Sequence, residues 1–100
     1  MLLFDWGDEN STHIATHGVS CAEAEQVISN EPFDVELQTV KDEERFVQLG
    51  ETNAGRIVVV VSTWRTTLVR VITAFDASRS IKQVYIVQKG NLYGTDPQGP

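Results

Sequence analysis

Arg56-Ile57-Val58-Val59-Val60-Val61-Ser62-Thr63-Trp64, then Arg65-Thr66-Thr67, then Leu68-Val69-Arg70-Val71-Ile72-Thr73-Ala74-Phe75 reads as two β-strands joined by a short connection. The five consecutive aliphatics Ile57 to Val61 are strand-length and far too short to cross a membrane, so they predict a central strand covered on both faces. Just before them, Thr52-Asn53-Ala54-Gly55 carries hairpin-turn chemistry. Further upstream the period is two: Phe46 alternates with Gln48, Val47 with Leu49, and Val35, Leu37 and Thr39 with Glu36 and Gln38. This pattern predicts two half-buried strands separated by Lys41-Asp42-Glu43. The four strands together form an antiparallel meander.

Leu2 to Trp6 alternates weakly and predicts a short first strand. Gly7, Asp8 and Asn10 supply turn and cap chemistry for a polar helix over Glu9 to Thr16, which Gly18 is placed to end. Ser20 with Glu23 three residues later has capping-box spacing, and Cys21, Ala24, Val27 and Ile28 share one face of a second helix stopped by Asn30-Glu31-Pro32. Ser78 caps a terminal helix in which Ile81, Val84 and Tyr85 share a face. The expected fold class is α+β: a short N-terminal strand, two helices, a four-stranded meander and a C-terminal helix, with the helices packed on a face of one sheet. Residues 1–90 make one domain, and 91–100, with Gly94, Pro97, Gly99 and Pro100, make a flexible tail.

The chain has 100 residues, 41% hydrophobic and 22% charged, which excludes the low-hydrophobicity signature of disorder. Cys21 is the only cysteine, so no internal disulfide is expected and a reducing cytoplasm is the simpler location. Met1-Leu2-Leu3-Phe4 meets Asp5 at once, with no basic lead, and reads as neither signal peptide nor membrane anchor. The net charge is −6, unevenly spread. Residues 1–50 hold eleven acidic and two basic side chains, whereas 51–100 hold three acidic and six basic. A basic face on an acidic body keeps nucleic acid among the possible partners.

Asn10, His13 and His17 fall on one helical stripe, and His17 sits in the last turn, where the helix dipole favours a protonated imidazole. Proton chemistry is one use; a metal site completed by Cys21 or Asp8 is weaker because no metalloprotease-type Glu follows His13, and a surface or turn-fixing role is the plainer reading. Arg70 interrupts an apolar strand, so it either faces an anion or points to solvent and pairs with a carboxylate such as Glu44. Arg79 and Lys82, one turn apart, extend a phosphate-binding surface or simply a solvated one. Tyr85 stacks on a base or packs in the core, and packing is preferred; Trp6 and Trp64 are read as packing residues too.

Phe4-Asp5-Trp6, Asn10, His13-Ile14, His17-Gly18-Val19-Ser20 and the Ala22-Glu23-Ala24-Glu25-Gln26-Val27 helix resemble the opening of BrnT-type toxins. Glu44-Arg45-Phe46 to Gly50, Gly55-Arg56-Ile57 to Val61, and Arg70-Val71-Ile72-Thr73-Ala74 to Arg79 and Tyr85 are similar in order and spacing to the rest of that family, so the likeness spans about residues 2–89. The resemblance implies a RelE-like fold and a cofactor-free, metal-independent endoribonuclease acting on RNA. It also implies neutralisation by a cognate BrnA-like antitoxin, through which alone DNA would be engaged. His17 would then be the acid or base and Arg70 the phosphate clamp, with Arg45, Arg79 and Lys82 as further phosphate contacts and His13 and Tyr85 in support. Ser11, Thr12, Thr16, Phe75 and Asp76 stand where many such toxins carry Lys or Arg. That departure suggests the alternative of a non-catalytic, partner-binding member of the fold.

Overall fold

A computed structural model describes residues 2–92. Their order is β1 (Leu3–Phe4), α1 (Asp8–Thr16), α2 (Cys21–Ser29), β2 (Phe33–Val40), β3 (Glu43–Glu51), β4 (Ile57–Arg65), β5 (Leu68–Asp76) and α3 (Arg79–Leu92). This is the α+β arrangement expected. α3 runs past Gly90, the expected end of the ordered domain, to Leu92, and the rest of the expected tail, 93–100, lies outside the described residues.

One five-stranded sheet runs β1-β5-β4-β3-β2; β1 pairs parallel to β5 and all other pairs are antiparallel. Strand alternation divides β4 cleanly. Val58, Val60, Ser62 and Trp64 face α1 and α2; Ile57, Val59, Val61, Thr63 and Arg65 face the other way. On the first face Val58, Val60, Val69, Val71 and Ala74 pack against Ile14, Val19, Ala24, Val27 and Ile28, with Phe4, Trp6 and Trp64 at the margin. Each fully buried aliphatic there contributes roughly 1.5–3 kcal/mol. The Trp6 indole donates to Glu25 at 2.7 Å, which fits its reading as a packing residue.

The expectation that the helices share a face is corrected. α3 crosses one end of the opposite face, where Tyr85 and Ala77 bury Leu49 and Val59 together with Phe33, Val47 and Ile57. The cause is that the apolar run of β4 needs cover on both sides. Among the described residues, the rest of this second face carries no helix.

Two local features follow the sequence closely. The Ser20 hydroxyl accepts from the Glu23 amide at 3.1 Å and Glu23 accepts from the Ser20 amide at 3.0 Å, the reciprocal capping box. Gly18, at φ +74°, lets the chain leave α1 while Val19 N–H reaches back to the Ile14 carbonyl. β2 departs from expectation. It is an edge strand with a bulge between Asp34 and Glu36, and Val35 and Leu37 are 57% and 55% exposed rather than half-buried. Only Phe33 at its start packs against α3, through Tyr85, so the alternation beyond it has little core to face.

Candidate active site

β5 organises the candidate residues. β1 pairs with Leu68 and Val69, so among the described residues the outer edge of β5 has no strand beside it from Arg70 onward. α1 lies along this edge. From α1, exposed His13 shares a hydrogen bond of 3.1 Å between its Nε2 and Thr73 Oγ1. His17, the residue capping α1, stands edge-on to His13 with ring centroids 5.2 Å apart, and 6.4 Å from the ring of Phe75. The i, i+4 spacing on a helix brings the two imidazoles together, as the stripe predicted.

Arg70 is exposed and pairs in register with Thr63, on the face that the two N-terminal helices do not cover. It lines a small cavity of about 50 Å³ with Asp5, Thr63, Arg65 and Leu68. Neither Arg70 nor Arg65 forms an ion pair with a described residue, so the suggested Arg70–Glu44 pairing is not made. Arg45 belongs to the same face, two residues before Val47, the register partner of Val61; its Nε donates to Glu43 at 3.1 Å. Arg45, Thr63 and Arg70 thus form a row across three adjacent strands.

At the far end of β5, exposed Arg79 opens α3 and Lys82 is paired with Asp76 at 3.0 Å. The histidines, Arg70 and the Arg79/Lys82 pair are therefore strung along one strand instead of meeting in a single cleft. Tyr85 does not belong to this array. It is 4% exposed and tilted against Phe33 with ring centroids 5.2 Å apart, so it is a core residue with no face free for a base.

Two residues escaped the sequence reading. Arg65 looked like turn material, but Thr66-Thr67 alone forms the β4–β5 turn, and the resulting Arg65–Leu68 pairing puts Arg65 on the face of Arg70. The two-residue loop was the available signal. Arg56 links three elements: its Nη1 donates to Gly18 carbonyl at 2.8 Å and to Glu23 at 3.2 Å, and its Nε to Asp76 at 3.3 Å. The Ser20 amide, then Arg56, hold the Glu23 carboxyl below its ordinary range, and Lys82, then Arg56, do the same for Asp76. This network fixes the His17–Ser20 corner to the end of β5.

Among the described residues no group of three His, Cys, Asp or Glu side chains gathers as metal ligands, so neither Cys21 nor Asp8 joins the histidines. Partial burial, with Glu25 nearby, pushes the Cys21 thiol up, away from the thiolate that ligation needs.

An exposed histidine pair beside a face bearing Arg45, Arg65 and Arg70, on an α+β frame, has the composition of a small phosphodiester-processing protein. A family profile described as the ribonuclease toxin BrnT of type II toxin–antitoxin systems matches residues 6–80, and the chain belongs to that family. Among solved structures it is similar to the Brucella abortus ribonuclease toxin BrnT, with 25% identity and a TM-score of 0.52, over 78% of this chain and 96% of that one. No curated protein matches the chain. Among the described residues, no helix is long and apolar enough to cross a membrane.

Proposed function

We propose that this ribonuclease-toxin family member is a metal-independent endoribonuclease, restrained in the cell by a cognate BrnA-like antitoxin that alone contacts DNA. The reaction is attack of an RNA 2′-hydroxyl on the adjacent phosphate. It needs a base for the hydroxyl, an acid for the departing 5′-oxygen and cations for the charge that builds on phosphorus. His17 serves as acid or base, with His13 beside it to supply or hold the complementary proton. Arg70 binds phosphate through its fork of donors, supported by Arg45, Arg79 and, less directly because of Asp76, Lys82.

The observation that carries this reading is the exposed His13–His17 pair, 5.2 Å apart, against Thr73 on the strand that also bears Arg70. The acidic half of the chain, residues 1–50, supplies a surface of the sign that a basic antitoxin segment would meet.

The test is cleavage of single-stranded RNA in excess chelator by the wild-type chain and by a His17→Ala, Arg70→Ala double variant. Cleavage by the first and its loss in the second, with both folded, is the expected result. A folded wild type that leaves RNA intact would instead favour the partner-binding, non-catalytic alternative.

A further inference from the structure

The Arg65–Arg70 cavity lies on the wrong side of Arg70 to serve the histidines. Thr73, which His13 touches, is three residues along β5 from Arg70, about 10 Å of strand. Leu68 and Asp5 line the cavity and Thr73 does not, and Arg65 sits opposite Leu68, five residues from Thr73. Two guanidinium groups without an ion pair to any described residue flank one carboxylate, Asp5, and a Thr63 that is only 5% exposed. Beside them Leu3 and Leu68, register partners on the same face, are 57% and 38% exposed. On the far side of Arg65 the β2–β3 tip carries Lys41 with Asp42, Glu43 and Glu44, Glu43 being paired with Arg45, and this net negative end makes β5 the more favourable direction for a polyanion.

We infer that Arg65, beside Arg70, forms a second phosphate subsite that anchors the RNA strand at a nucleotide next to the one Arg70 clamps, with the Leu3–Leu68 pair as an apolar shelf for its sugar or base. Unpaired, exposed arginines in a shallow cavity bind a phosphodiester through charge-assisted, bidentate contacts and release counterions as they do so. Asp5 opposes that binding, so its removal strengthens the site. The division of labour is then spatial: the histidine edge performs proton transfer and the arginine end of β5 holds substrate. This inference rests on the ribonuclease reading above.

The experiment measures binding of a fluorescent 2′-O-methyl RNA oligonucleotide, which lacks the attacking hydroxyl, across a salt series for wild type, Arg65→Ala and Asp5→Asn. Loss of one phosphate contact in Arg65→Ala should weaken binding and make the log–log salt slope shallower by about 0.7. Asp5→Asn should bind more tightly. Wild-type binding that Arg65→Ala and Asp5→Asn both leave unchanged overturns the subsite while sparing the ribonuclease reading. No binding by a folded wild type overturns the RNA reading and the subsite together.

Discussion

Arg56 shows how a residue outside the candidate site governs it. Its guanidinium joins α2 through Glu23, β5 through Asp76 and the chain after α1 through the Gly18 carbonyl, so the corner that carries His17 is held by charge-assisted bonds. Both carboxyls are depressed in the folded protein, which means that their stabilisation is present above the ordinary carboxylate range and is lost as pH falls below about 4. Asp76→Asn should therefore flatten the fall in unfolding free energy between pH 5 and pH 3, roughly that range being set by the reference carboxyl values. Denaturant titrations at those pH values check this; equal slopes for wild type and variant would contradict it. Gly50 is a second sensitive position for a steric reason. A Cβ there would stand 3.0 Å from Pro32 Cβ and 3.1 Å from Val27 Cγ1, so Gly50→Ala should lower stability by about 1–3 kcal/mol, read as a reduced denaturant midpoint.

Among the elements, α3 is held differently from α1 and α2. Tyr85 is its anchor in the smaller core, next to Ala77 just before the helix, and the Lys82–Asp76 and Lys89–Glu51 pairs pin its edges. Ile81, Val84, Ile86 and Val87 stay exposed. Tyr85→Ala should then release the helix, costing about 3–5 kcal/mol by analogy with other large aromatic truncations and speeding amide exchange in α3 before α1 or α2. Exchange that accelerates uniformly across the chain would contradict a separately anchored helix. Ser20→Ala, which removes the capping box of α2, should cost about 1 kcal/mol. These elements also mark what was legible in the sequence. The capping box, the hairpin turn, Gly18 and the aliphatic run of β4 each carry a local signal, and all four appear where the residues put them. The exposure of β2 and the separation of α3 from the other helices depend on which strand ends at the sheet edge, and no local pattern encodes that. Tyr85 illustrates the limit from the other side: helical spacing allowed a core or a stacking role, and only the register of β3 and β4 brings Leu49 and Val59 under it.

At the scale of the whole molecule, function follows from how the sheet separates its two sides. One face is filled by the packing of α1 and α2, and among the described residues the other is covered only by α3, with Arg45, Arg65 and Arg70 on it and the two histidines at its edge. An overall charge of −6 coexists with this face because the acidic residues belong mainly to the first half of the chain. Individual candidates such as His17 and Arg70 were legible from residue type and from family likeness. Their arrangement along one strand was not, because it depends on β5 losing its outer neighbour after Val69. The most direct test of the account is analysis of the RNA ends produced in excess chelator by wild type, His13→Ala, His17→Ala and Arg65→Ala. The account predicts 2′,3′-cyclic phosphate ends from wild type, a turnover rate lowered on the order of 10²-fold or more in the His17 variant, and an unchanged rate at saturating RNA with a raised KM in the Arg65 variant. Intact RNA, or cleavage unaffected by loss of either histidine, would contradict it.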